Sequence, residues 1–208
     1  MTKTLTLVYS DYPTAERVVQ ELKDAGLSDS DISIVASNAD GWHKSGGSTV
    51  DPKHDKDRDG RDDRAEGAAA GGGIGVAAGG TIGVLTGLGL LAIPGVGPVV
   101  AAGWLAALAV GAAVGGVAGG LVGALVESGE SKENAELYAE AVRRGGAIVT
   151  AKVPDDEEAD YLAIMEAPAI DLAEREPTWR QTGWTGYDPE APAFTPEQIR
   201  QERDSYRL

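Results

Sequence analysis

The chain contains no cysteine, so disulfide scaffolds, thiol nucleophiles and zinc–thiolate sites are excluded. Histidine is nearly absent. His43 and His54 both fall in a polar stretch, which leaves a Ser–His–Asp arrangement little to draw on. Basic residues number 18 against 33 acidic ones, and the net charge of −15 argues against a general nucleic-acid binder and against a basic membrane-surface helix. The opening MTKTLTLVYSDYP lacks a charged leader followed by an apolar run, so a cytoplasmic location is the expectation. The largest local absence is of charge: there is no Asp, Glu, Lys or Arg from Gly67 to Val126.

Around that tract the pattern is regular. Residues 3–9 alternate apolar and polar side chains as a half-buried strand does, with Leu5, Leu7 and Tyr9 on one face. DYPTAERVVQELKDAGL predicts a helix with Pro13 in its first turn, an apolar face of Ala15, Val18, Val19 and Leu22, and Gly26 just past its end. DISIVAS, 31–37, is a second strand. SKENAELYAEAVRRGG predicts an amphipathic helix closed by Gly145 or Gly146, and AIVTAKV, 147–153, a third strand. DDEEADYLAIMEA follows as a helix with acids in its first turn, and AIDLAE, 169–174, as a short last strand. With the middle set aside the order is β-α-β-β-α-β, the ferredoxin-like order of an antiparallel sheet with two helices on one face.

The uncharged tract repeats. Gly67, Gly71, Gly75, Gly79, Gly83 and Gly87 fall at every fourth position. After LAIPGVGPVV the spacing returns at Gly103, Ala107, Gly111, Gly115, Gly119 and Gly123. A row of small residues at helical spacing lets another helix backbone approach closely. The two prolines and two glycines at the centre predict a turn between two antiparallel helices, a glycine-zipper hairpin. Each arm is long enough to cross a bilayer, yet Trp104 stands alone where an aromatic belt belongs. The hairpin therefore reads first as buried in a homo-oligomer, with association to the inner membrane as the alternative. GIGVAA and GLGLLA imitate a dinucleotide loop but lack the preceding strand and the following acid.

DKDRDGRDDRAE fits the spacing of a calcium loop. Asp55, Asp57, Asp59, Asp63 and Glu66 supply carboxylates, and Arg61 its carbonyl. No helix precedes it, and Lys56, Arg58, Arg61 and Arg64 interleave with the acids. It reads first as a solvated linker of mixed charge, with calcium as the competing reading. The last segment, from Pro177, carries Trp179, Trp184, Tyr187 and Phe194 among prolines and glycines. It reads either as a strap with aromatic anchors or as a disordered tail, and Thr195, Pro196 and Gln198 mark a capping-box helix start.

LVYSDYPTAERVVQELKDAGLSDSDISIVAS, then IPGVGPVVAAG, then ENAELYAEAVRRGGAIVTAKV resembles the bacterial general stress protein family, also described as heat-induced stress proteins with a glycine-zipper segment. The resemblance spans about residues 3–172. It implies a stress-response role and brings no reaction, cofactor, catalytic residue or small-molecule substrate. The expectation is an α+β fold in five parts: a ferredoxin-like domain in two segments, 1–37 and 146–176; a polar loop, 38–66; the glycine-zipper hairpin, 67–126; a connecting amphipathic helix, 127–145; and an aromatic tail with a short helix, 177–208. The expected function is non-enzymatic self-association through the zipper.

Overall fold

The computed structural model describes residues 1–43, 89–93, 95–114 and 120–205, the side chains of 110–114 excepted. Its strands are β1 (Thr2–Tyr9), β2 (Ile32–Ser37), β3 (Gly89–Ile93), β4 (Gly97–Ala102) and β5 (Ala147–Pro154). Its helices are α1 (Tyr12–Asp24), α2 (Trp104–Val114), α3 (Gly120–Glu127), α4 (Lys132–Arg143), α5 (Glu158–Glu166), α6 (Leu172–Gln181) and α7 (Pro196–Ser205). The fold is α+β around one antiparallel sheet in the order β1-β5-β2-β4-β3.

Local chemistry places the first elements. Asp11 caps α1 by accepting from Thr14 N at 2.9 Å, and Pro13 sits in the first turn where its missing N–H is not needed. Gly26 follows the helix at φ 103°, as the C′ position requires. β1 and β2 flank β5 and both pair with it antiparallel, so α1 joins two strands separated by a third.

Side-chain alternation divides the core into two layers. Ile32, Ile34 and Ala36 of β2 with Val149, Ala151 and Val153 of β5 face α1 and α5, where Val18, Val19, Leu22, Tyr161 and Met165 cover them. Val35 and Ile148, one residue out of phase, face the other way. They meet Leu105 of α2, Leu121 and Leu125 of α3, Ala139 and Val142 of α4, and Trp179 of α6. Helices thus cover both faces of the sheet, where the sequence pattern suggested one.

Three expectations are corrected here. LAIPGVGPVV is not a turn between helices. It belongs to a β-hairpin, in which Leu91 pairs with Val99 and Ile93 with Gly97, and which extends the sheet beyond β2. A wholly apolar run does not distinguish a buried strand from a buried helix, and the β-branched pair Val99 and Val100 favours the strand. AIDLAE is not a strand. Ile170 N donates to Val8 O at 2.8 Å, and one residue later Asp171 accepts from Ala173 N and starts α6. An N-cap aspartate before Leu-Ala-Glu outweighs the short apolar alternation. Finally, α6 runs through Pro177, so the expected boundary between domain and tail lies inside a helix.

Candidate functional site

Among the described residues, a dense polar cluster lies where the C-terminal segment meets the end of α4. Ser131 starts this helix by accepting from Asn134 N, and its last turn carries Arg143, with Arg144 at the C-cap. Glu140, fully buried one turn earlier, accepts from Arg143 Nε and Nη2 at 2.8 and 2.9 Å and from Arg144 Nε at 2.6 Å. Arg144 Nη1 reaches Glu202 Oε2 on α7 at 3.3 Å, and Trp179 Nε1 donates to Glu202 Oε1 at 2.7 Å. The guanidinium faces are also occupied. Arg144 stacks on Trp179 and Phe194 at 4.8 and 5.1 Å, and Arg143 on Phe194 at 4.7 Å. Further along α7, Arg203 donates to Asp40 Oδ2 at 2.6 Å and to Gly145 O.

The apolar contacts of this segment are as specific. A Cβ built on Gly95 would lie 2.5 Å from Pro189 Cα, one on Gly97 2.7 Å from Ala193 Cβ, and one on Gly145 2.4 Å from Ile199 Cγ2. Ile199 and Trp179 are fully buried. Of the two readings of the tail, the docked strap is the one realised, and it docks on its own chain. Thr195 and Gln198 form the expected capping box, Thr195 N donating to Gln198 Oε1 and Gln198 N to Thr195 Oγ1.

A cleft of about 520 Å³ opens beside this junction, lined among others by Arg143, Arg144, Trp184, Phe194 and Gln201. Its carboxylates and guanidinium groups are already paired with one another, so the arrangement is suited to holding chain segments together. Breaking one partner of such a buried pair costs about 3–5 kcal/mol, because the other charge is left uncompensated. Burial pushes the phenol of Tyr187 up to about 12, against the pull of the Arg143 charge. Burial, with Glu130 adding to it, does the same to Tyr138 on α4.

Most of the residues singled out from sequence lie outside the described ones. Gly67, Gly71, Gly75, Gly79, Gly83 and Gly87 lie outside the described residues, as do Gly115 and Gly119. Gly103 is not on a helix ridge. It lies between β4 and α2 at φ 89°, where a Cβ would sit 2.3 Å from Ile32 O, and Leu105 N beyond it donates to Ser33 Oγ. Gly111 belongs to α2 and Gly123 to α3, two separate helices. Asp55, Asp57, Asp59, Arg61, Asp63 and Glu66 are also outside the described residues, among which no cluster of His, Asp and Glu is placed to hold a metal ion. Among the described residues, no helix is long and apolar enough to cross a membrane.

Sequence reasoning missed Glu140, Arg144, Glu202 and Arg203. The one legible signal was the aromatic set in the tail, which called for something to anchor on. Comparison with protein-family models, with curated proteins and with solved structures finds no match to this chain.

Proposed function

We propose that the protein is a non-enzymatic stress-response protein that self-associates through its uncharged small-residue tract. The stress-response part of this reading rests on the sequence resemblance. The self-association part rests on one observation. Leu90 and Val126, large apolar side chains 38% and 43% exposed, lie in the tract that carries no charge on a chain of net charge −15. Two such molecules repel wherever acidic surfaces meet, and a neutral apolar face is where copies approach at least electrostatic cost. The acids then remain on the outside of the assembly and keep it soluble.

A finer fold reading goes with this. β1-α1-β2 and β5-α5 act as a ferredoxin-like unit without its last strand, and the small-residue helices supply the zipper contact. Sedimentation velocity of the full chain tests it. An oligomer is expected, stepping down in size when Gly111 or Gly123 is changed to Leu and unchanged for Ala163→Leu on the exposed side of α5. A monomer at about 100 μM, far above the dissociation constants of stable dimers, refutes the reading. So does an oligomer indifferent to both glycine substitutions. Flotation with bilayer vesicles that survives alkaline extraction would transfer the tract to the inner-membrane alternative.

A further inference from the structure

The two outer strands of the sheet differ in how they are finished. β1 is closed by its own chain: Thr6 and Val8 are 8% and 2% exposed, and their carbonyls accept from Tyr138 Oη and Ile170 N. β3 lies at the opposite end of the strand order. We propose that a second copy of this chain pairs its own β3 with that edge, antiparallel and about a two-fold axis, so that two five-stranded sheets become one. This rests on the self-association part of the reading above and names the edge at which the copies meet.

The ladder fixes which groups are available there. Pro98 O accepts from Asn38 N at 2.8 Å, on the β2 side of β4. Bonded residues alternate along an antiparallel strand, so Val100 and Ala102 also turn toward β2, opposite Ala36 and Ile34. Val99 and Ala101 therefore turn toward β3, opposite Leu91 and Gly89. Leu90 and Ala92 are out of phase with these, so their N–H and C=O groups point away from β4. Both residues are exposed, Leu90 at 38%, and their outward main-chain groups have no partner among the described residues.

Nothing on this edge discourages another strand. Edge strands are ordinarily blunted by a charge, a proline or a bulge. Gly89–Ile93 reads Gly-Leu-Leu-Ala-Ile, with neither charge nor proline, and it pairs with β4 residue for residue. Charge and register then choose the occupant. The strand has no charge with which to select a charged peptide. It lies in the uncharged tract of a chain of net charge −15, where acidic copies approach at least electrostatic cost. Register makes the strand complementary to itself, because outward-pointing residues must face outward-pointing residues. With the axis at Leu91, Leu90 of each copy stands opposite Ala92 of the other. Each such pair exchanges both main-chain bonds, and a large side chain meets a small one on either side of the axis.

The test follows amide-resolved hydrogen exchange of the full chain by mass spectrometry during dilution from about 300 μM to about 3 μM. For a dimer above its dissociation constant, the dissociated fraction grows as the inverse square root of concentration. Exchange at Leu90 and Ala92 should therefore speed up about tenfold, while Leu91, bonded within its own chain, stays unchanged. Leu90→Pro removes an outward N–H and spares the bonds to β4. It should keep the far-ultraviolet circular dichroism of the wild type and sediment as a monomer. Leu90→Lys, which keeps the main chain whole, should weaken association about tenfold or more. Protection of Leu90 and Ala92 that ignores dilution overturns the proposal, because the chain would then cover the edge itself. So does a folded Leu90→Pro chain of wild-type size. Fast exchange at both amides in a chain that sediments as an oligomer overturns it too, and leaves the small-residue contact standing alone. A monomer at every concentration removes both readings. An oligomer lost in Leu90→Pro but indifferent to Gly111→Leu and Gly123→Leu supports the strand edge and removes the zipper.

Discussion

Gly26 and Gly145 form a matched pair that isolates what the docked tail contributes. Each follows a helix at the C′ position, at φ 103° and 104° respectively. A Cβ at Gly26 would meet nothing within 4 Å, whereas one at Gly145 would lie 2.4 Å from Ile199 Cγ2 and 3.3 Å from Ile199 Cβ. Alanine in the left-handed region costs about 1–2 kcal/mol, offset by a few tenths through the stiffer unfolded chain. Gly26→Ala should therefore destabilise by about 1 kcal/mol. Gly145→Ala carries the same strain plus the overpacking of a fully buried, β-branched neighbour that cannot swing aside, about 1–3 kcal/mol more. Ile199→Ala alone should cost about 2–5 kcal/mol. With only Cβ left at 199, 3.3 Å away, the 2.4 Å clash with Cγ2 is gone and a tight but tolerable contact remains, so the two changes should couple by about 1–3 kcal/mol. Urea unfolding followed by both tryptophan fluorescence and far-ultraviolet circular dichroism measures all four corners. Equal losses for Gly26→Ala and Gly145→Ala, or strict additivity with Ile199→Ala, would refute the packing of α7 onto Gly145.

Trp179→Phe removes the N–H that binds Glu202 while keeping most of the ring, and should lower stability by about 1–3 kcal/mol in the same unfolding assay. Glu140→Gln leaves Arg143 and Arg144 without their shared carboxylate and should cost about 3–5 kcal/mol, with the tail becoming cleavable by trypsin at Arg180. Tyr138 and Tyr187, with pKa near 12 when folded and near 10 when unfolded, contribute stability that is complete below pH 10. It is lost as pH rises from 10 toward 12, because the unfolded chain releases those protons first. Absorbance at the phenolate band against pH should show them titrating late, and Tyr138→Phe should reduce the loss in that window.

What was legible in the sequence was what is encoded locally. α1 carries its first-turn proline, its apolar face and its terminating glycine within about four turns, and each is where the spacing put it. The capping box of α7 is a four-residue motif and was equally plain. β1, β2 and β5 announce themselves by β-branched runs, although a strand buried on both sides, as β2 is, no longer alternates. The hairpin β3–β4 was misread because its residues are uniformly apolar and sit inside a four-residue glycine rhythm. The docking site was illegible for a different reason. Arg144 and Phe194 are fifty residues apart, and nothing near either one names the other.

The glycine rhythm itself shows why spacing alone is a weak warrant. Where the described residues allow a test, glycines that look alike in sequence answer to different demands. Gly95 and Gly97 make room for Pro189 and Ala193 of the strap, and Gly103 makes room for the backbone of β2. Two of these three lie in the very decapeptide that reads as a turn between zipper helices. The strap accounts for them without reference to a helix ridge. A helix ridge demands small residues because of a neighbour on one side over many turns. A strand end or a hairpin demands them because of one atom, at one place. The two demands give the same letters and differ only in what a larger side chain would strike. For this chain the discriminating quantity is the distance from a built Cβ to its nearest atom, and that distance belongs to the fold.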